Sequence, residues 1–213
     1  MDLTLIDRNT NRELPDPYEI RILGWTEERY WTDAPADRYC EFVDGEVIMP
    51  SPVDIEHQRT VGLLSFLLHG FCTARGAGEV LTGPTAVRLR PGLAREPDLF
   101  VLSRADSAAA IGSRIEACPL LVIEIAGEDS ERRDLSEKPT EYATRGIGEY
   151  WVVMLRTREV VVHRPGAAPV THATGRVQSS GLPGFWVEVD WLRRPGAMNG
   201  IDCLKQILGA ATL

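Results

Sequence analysis

One segment of the chain is apolar at every position except one. Residues 119–127 read PLLVIEIAG, a run rich in branched side chains. Such a run is typical of a central strand that is covered on both faces of a sheet. Glu124 lies in the middle of it, and a buried carboxylate must be neutralised by a raised pKa, an ion pair or a metal ion. The segment therefore predicts a layered fold and a partner for Glu124, although a structural ion pair or an exposed Glu remains open.

Helical and strand-like patterns alternate around that segment. Asp54 as N-cap and Gly76 as stop enclose apolar residues at helical spacing, which predicts a long helix. Asp44-Gly45 and Thr157-Arg158 each separate two alternating runs and predict β-hairpins. Further helices are expected after Thr26, over about Ser136–Arg145 and from about Ile201, and further strands over 79–90, 95–103 and 185–192.

This pattern predicts an α/β fold in one domain. The length of 213 residues suits a single core, and no Pro/Gly/Ser-rich stretch divides it. Residues 1–24 contain Pro15 and Pro17 and few periodic apolar residues, so they are expected to form an N-terminal arm, with order beginning near Trp25 and the domain covering residues 25–213.

Composition excludes several classes of protein. No apolar run approaches the roughly 20 residues that span a bilayer, and the polar, acidic start does not resemble a signal peptide, so a cytoplasmic protein without a membrane partner is expected. The four cysteines lie far apart without a metal-ligand spacing and are expected to be small core residues. A net charge of -8 repels nucleic acid on average, although a local basic surface can override that average.

Asp98 is the natural partner for Glu124. It follows Pro97 and precedes the strand-like LFVL, which places a carboxylate at the beginning of a second core strand. Alone, an Asp after Pro is usually a turn residue. On a strand beside Glu124, however, it would supply the second oxygen ligand for a hard cation such as Mg²⁺ or Mn²⁺. A metal of this kind, assisted by a nearby amine such as that of Lys138, suits phosphodiester hydrolysis.

Several short motifs in order resemble the Uma2 family, formerly DUF820, within the PD-(D/E)XK nuclease superfamily. The likeness covers roughly residues 26–192. The motifs are YCEFVDGEV at 39–47, EHQR at 56–59, GEV at 78–80, EPDLFV at 96–101, LLVIEIA at 120–126, RDLSEKPTEYATRGIGEYWVV at 133–153 and GLPGFWVEVDWL at 181–192. The resemblance implies a restriction-endonuclease-like fold, with a central mixed β-sheet flanked by helices, and a homodimer that acts on DNA.

The resemblance also implies roles for individual residues. Asp98 and Glu124 would be metal ligands and Lys138 the motif lysine, supplied from the following helix because Ala126 holds its usual place. Glu41 would complete the metal shell or orient water. His57 would contact phosphate or a ligand, and Tyr142, one turn after Lys138, would steady its amine. Asp134, by contrast, has the spacing of a capping box with Glu137 and is expected to be structural.

Two departures from the family pattern keep a second function open. Residues 127–131 read GEDSE, which adds acid near a site meant for phosphates, and Pro139 directly follows Lys138. The chain is therefore expected to be a metal-dependent endonuclease or, alternatively, an inactive nuclease-fold protein that serves as an interaction or regulatory module. A glycosidase using Asp98 and Glu124 as acid and base is also permitted. The candidates for a basic surface that contacts DNA are either Arg88, Arg90 and Arg95 or Arg132 and Arg133, and ordinary solvated arginines are the alternative.

Overall fold

The secondary structure comes from a computed structural model that describes residues 6–7, 12–13, 18–35, 38–110, 114–128 and 130–209. The strands are β1 Ile6–Asp7, β2 Arg12–Glu13, β3 Glu19–Leu23, β4 Glu41–Val43, β5 Glu46–Pro50, β6 Glu79–Thr82, β7 Ala86–Arg90, β8 Leu93–Arg95, β9 Leu99–Leu102, β10 Arg114–Ile115, β11 Leu121–Ala126, β12 Tyr150–Met154, β13 Glu159–His163, β14 Val170–His172, β15 Arg176–Gln178 and β16 Trp186–Glu188. The helices are α1 Glu27–Asp33, α2 Ile55–Arg75, α3 Arg104–Ala109, α4 Glu131–Ser136, α5 Lys138–Arg145, α6 Val189–Arg193 and α7 Gly200–Leu208, with a 3₁₀ turn at Pro195–Ala197.

Two six-stranded mixed sheets form the framework, where one central sheet was expected. The first sheet has the strand order β10-β7-β8-β4-β5-β3, and the second has the order β14-β13-β12-β11-β9-β6. Each contains a single parallel pair, β10 with β7 and β11 with β12, among antiparallel neighbours. The α/β class and the mixed sheets flanked by helices are confirmed.

The apolar strand β11 lies inside the second sheet, as predicted, with all six residues buried. Its side chains alternate between two cores because successive residues of a strand point to opposite faces. Leu121, Ile123 and Ile125 pack in the core that α2 and α7 cover. Val122 and Ala126 pack in the core that contains Tyr142 of α5. Glu124 has the same parity as the latter pair, so it points to the α5 side.

The long helix and the hairpins follow the turn chemistry of the sequence. The Asp54 side chain accepts a hydrogen bond from the backbone N–H of His57 at the start of α2, and Gly76 ends the helix in the left-handed conformation. Asp44 and Gly45 both have positive φ, as a two-residue hairpin turn requires. Arg158 also has positive φ between β12 and β13, and the helices predicted after Thr26 and from about Ile201 are α1 and α7.

Three boundaries differ from the sequence expectation. Glu19–Leu23 pair with Glu46–Pro50 as the edge strand of the first sheet, so the expected start of order near Trp25 is too late. The predicted strand over 79–90 divides between the two sheets as β6 and β7. The late strand ends at Glu188, after which Val189–Arg193 form a helix.

The helical segment before β12 is longer than predicted and broken. It begins at Glu131, is interrupted at Glu137 and resumes at Lys138, where Pro139 occupies the first turn and costs no hydrogen bond. The expected start at Ser136 is wrong, because the proline restarts a helix that is already under way. The break leaves Asp134 in α4 and Lys138 at the start of α5, both buried.

Candidate active site

Asp98 and Glu124 lie opposite each other on neighbouring strands. Leu99 of β9 pairs with Ile123 of β11 in an antiparallel register, and one step further places Asp98 opposite Glu124. Two hydrogen bonds tie the pair together. The Asp98 backbone N–H donates to Glu124 Oε2 over 3.3 Å, and the Ile125 N–H donates to Asp98 Oδ2 over 2.8 Å. Directly opposite residues share one face of a sheet, so the two carboxylates belong to one site.

Lys138 reaches this site from the start of α5. Its Nζ lies 2.6 Å from Glu124 Oε1, 3.0 Å from Asp134 Oδ1 and 3.4 Å from Glu41 Oε1. Burial lowers the pKa of the amine, but the three carboxylates raise it further, so the net shift is upward and the amine stays charged. Burial raises the pKa of Glu124, and the Lys138 charge opposes that shift.

Glu41 is held by two cations instead of facing water. Its Oε2 accepts a hydrogen bond of 2.7 Å from Arg95, and its Oε1 faces Lys138. Burial alone would raise its pKa, but the two positive charges hold that pKa at about 2. Arg95 also forms a bidentate pair with Glu141, at 2.8 Å for each bond, and is only 1% exposed. The expectation that Arg95 contacts DNA is wrong, because its guanidinium is buried and paired with Glu41 and Glu141.

We call the six buried residues Glu41, Arg95, Asp98, Glu124, Asp134 and Lys138 the charge cluster; each is at most 6% exposed. It contains four carboxylates and two permanent cations. His57 borders the cluster, with Nε2 3.2 Å from Asp98 Oδ2, and its buried Nδ1 has no hydrogen-bond partner among the described residues. Burial lowers the pKa of His57, but the hydrogen bond to Asp98 and the charges of Asp98, Asp54 and Asp134 together outweigh it, so the net pKa is raised.

Two tyrosines complete the surroundings of the carboxylates. Tyr142 donates to Glu124 Oε1 over 3.0 Å, so it contacts the acid and not the amine that it was expected to steady. Tyr39 donates to Asp98 Oδ1 over 3.3 Å, and a Cβ at position 83 would collide with its hydroxyl, so Gly83 is needed beneath it. Nothing in the sequence distinguished Tyr39 before the fold brought it to Asp98, 59 residues away.

Asp134 is part of the charge cluster and not a helix cap. It lies inside α4, 2% exposed, and the N-terminus of α4 has no side-chain cap, so the capping-box interpretation is wrong. Its Oδ1 forms an ion pair with Lys138 but accepts no hydrogen bond of good geometry within the described part of the chain. The i, i+4 spacing of Asp134 and Lys138 was a visible signal, because it places both on one face of a helical segment.

The other arginines expected to contact phosphates are paired with carboxylates or lie on the surface, although the charge of Arg133 also acts on Glu41 and Asp134 of the charge cluster. Arg88 pairs with Glu27, Arg90 with Asp44 and Arg133 with Glu19. Arg132 is 85% exposed and lies 3.6 Å from Glu137. Of the acidic loop, Glu131 pairs with Arg156 on the surface, while Asp129 lies outside the described residues. Neither the predicted basic surface nor the predicted acidic addition to the site appears among these described pairs.

The charge cluster suits a hard cation held by two carboxylates. The cluster sets four carboxylates against the cations of Arg95 and Lys138, and each of these six residues is almost completely out of contact with water. Within the described ranges, no group of three or more His, Cys, Asp or Glu side chains converges as a complete metal shell. Mg²⁺ does not require one, because it keeps several waters and uses one or two carboxylates. Asp98 and Glu124, opposite each other, fit that requirement.

Comparisons with known proteins identify the family to which the chain belongs. The family model Uma2, described as "Putative restriction endonuclease", matches residues 26–190. A crystal structure of a putative nuclease belonging to DUF820 from Anabaena variabilis superposes with a TM-score of 0.71 at 13% identity, covering 80% of this chain and 98% of that one. No curated protein matches the chain. In the part of the chain that the structure describes, no helix is long and apolar enough to cross a membrane.

Proposed function

The chain belongs to the Uma2 family of putative restriction endonucleases, and on that premise we propose that it is a divalent-metal-dependent endonuclease that hydrolyses phosphodiester bonds in DNA. The observation that carries the proposal is the opposed pair Asp98 and Glu124, buried together with the Lys138 amine 2.6 Å from the glutamate. A nuclease fold and a family match support the same reading.

Each residue of the site has a task that follows from its contacts. Asp98 and Glu124 would hold Mg²⁺ or Mn²⁺, which would activate water and neutralise charge on the leaving oxygen. His57 and the Ile125 N–H fix the Asp98 carboxylate, and Tyr142 fixes that of Glu124. Lys138 supplies a positive charge that would stabilise the negative charge on the phosphoryl group. Glu41 holds Arg95 and Lys138 in place, so its role in the proposed reaction is to position Lys138.

The proposal is tested by DNA cleavage in the presence of Mg²⁺ or Mn²⁺. Purified protein should nick or cut supercoiled plasmid, and Glu124→Gln should abolish the cleavage. Glu79→Gln is the matched control, because Glu79 is an exposed glutamate on β6 of the same sheet, outside the charge cluster. Residual cleavage by a folded Glu124→Gln protein at the wild-type rate would sink the proposal.

A second candidate is an inactive nuclease-fold protein that acts as an interaction or regulatory module. The observation that favours it is the pairing of Arg88, Arg90 and Arg133 with carboxylates, which neutralises three of the arginines expected to contact a DNA backbone. Calorimetric titration with Mn²⁺ separates the two functions. Binding that disappears in Glu124→Gln supports the nuclease, and an absence of binding at millimolar Mn²⁺ supports the module.

A further inference from the structure

The Lys138 amine has the surroundings that a bound metal ion would have. Three carboxylate oxygens, from Glu41, Glu124 and Asp134, lie within 3.4 Å of Nζ. They come from three elements, β4, β11 and α4, so the amine joins parts of the chain that are distant in sequence. The Lys138 side chain is 5% exposed, which leaves water little part in neutralising these acids.

Of the three carboxylates, Glu124 is the one that Lys138 shares with the proposed metal site. Oε1 of Glu124 already accepts hydrogen bonds from Lys138 and Tyr142, and Oε2 accepts from the Asp98 backbone N–H. A divalent ion bound to this carboxylate would lie close to the charged amine, because Nζ is only 2.6 Å from Oε1. Two positive charges so near each other repel strongly in a site with little water. Metal and amine therefore cannot both occupy Glu124 in the arrangement that the structure shows.

We propose that Lys138 is an internal competing cation, which occupies Glu124 in the metal-free protein and must withdraw from it when a divalent ion binds. The inference rests on the proposed metal site at Asp98 and Glu124. Asp134 gives the withdrawn amine a place to remain, because its Oδ1 lies 3.0 Å from Nζ and accepts no hydrogen bond from the residues that the structure describes. The amine thus stabilises the empty site and weakens metal binding, in addition to any role toward phosphate.

The experiment compares Mn²⁺ binding by calorimetry in the wild-type chain and in Lys138→Met, which keeps the length of the side chain and removes its charge. The variant should bind Mn²⁺ about tenfold or more tightly, as for two ligands with a typical coupling between sites. Its melting temperature without metal should fall below that of the wild type, and added Mn²⁺ should raise it by a larger increment. Lys138→Arg, which keeps the charge, should not gain affinity.

Lys138→Met leaves a buried carboxylate without its cation and could fail to fold, so a second variant removes one charge of each sign. Asp134→Asn/Lys138→Met keeps the net charge of the cluster and leaves Asp98 and Glu124 intact. It should also bind Mn²⁺ about tenfold or more tightly, since only direct competition has been removed.

The outcomes separate this inference from the proposed function. Wild-type binding that is lost in Glu124→Gln, together with unchanged or weaker binding in the folded charge-balanced variant, would refute the competition and leave the metal site standing. No Mn²⁺ binding to the wild type or to either Lys138→Met protein would refute the metal site itself. Wild-type binding that becomes about tenfold or more tighter in both Lys138→Met proteins would confirm the competition.

Discussion

Arg95 should be among the most costly residues of this protein to truncate, although it lies outside the proposed catalytic set. We consider Arg95→Met, which preserves much of the aliphatic volume and removes the guanidinium. In the structure that group donates to Glu41 over 2.7 Å and forms a bidentate pair with Glu141 at 2.8 Å. Its loss would leave Glu41, 5% exposed, with the more distant Lys138 as its other cation.

The burial of the partners sets the expected magnitude. Removing one partner of a buried ion pair costs about 3–5 kcal/mol, because the remaining charge is neither solvated nor compensated. Glu141 softens the loss, since its side chain is 20% exposed and can be hydrated. We therefore expect Arg95→Met to lower the free energy of unfolding by about 3 kcal/mol, near the lower end of that range.

The same part of the first sheet offers a matched control. Arg90 also forms a bidentate pair, with both Asp44 oxygens at 2.7 Å, but the two side chains are 47% and 60% exposed. Arg90→Met should cost less than about 1 kcal/mol, as exposed pairs do. Urea denaturation followed by tryptophan fluorescence measures both values. If Arg95→Met and Arg90→Met lose the same free energy of unfolding, burial does not determine how much the ion pairs of Arg95 stabilise the fold.

Two further predictions concern residues that the charge cluster does not contain. Burial raises the pKa of Glu96 to about 8, with Glu41 adding to the shift and the Cys40 N–H opposing it. The neutral acid is thus the form that the fold prefers, and its contribution to stability is full below the unfolded pKa near 4.5 and is lost as pH rises through about 8. Between those pH values Glu96→Gln should therefore be more stable than the wild type, by about 2–4 kcal/mol in the free energy of unfolding at the upper end. Urea denaturation at several pH values measures this difference. A difference that does not change with pH would contradict the raised pKa of Glu96. Glu149 is fully buried and accepts hydrogen bonds from Ser179, Ser180, Gly181 and Arg164. In Glu149→Gln an amide N–H₂ would face these donors, so the free energy of unfolding measured in urea should fall by about 2–3 kcal/mol. The affinity for Mn²⁺ should not change.

Local chemistry was readable from the sequence where one or two neighbouring residues decide the structure. Asp54 and Gly76 bound the long helix as predicted, and Asp44-Gly45 turns the first hairpin. The apolar run around Glu124 became a buried interior strand, because its composition suits burial on both faces and little else. These features depend on backbone propensities and on apolar pattern, which the sequence displays directly.

Contacts between distant segments were not readable in the same way. Arg95 looks like any arginine at a strand end, and only the fold brings it to Glu41, 54 residues away. Asp134 matched the spacing of a capping box, yet an earlier helix start moved it inside the helix and onto Lys138. Spacing identifies which residues share a helix face, but it does not fix where the helix begins when a proline can either start or restart it.

The charge cluster links the stability of this fold to its proposed chemistry. Arg95 and Lys138 hold three of the four buried carboxylates, those of Glu41, Glu124 and Asp134, so the loss of either cation would leave a buried acid uncompensated. An ion that binds the folded chain alone stabilises it in proportion to the logarithm of its concentration over its dissociation constant. A lysine that already neutralises the site reduces that dependence, because the protein can fold before the metal arrives. The affinity given up in this way keeps the metal-free chain folded, and when the metal binds, the amine withdraws toward Asp134 and remains beside the site.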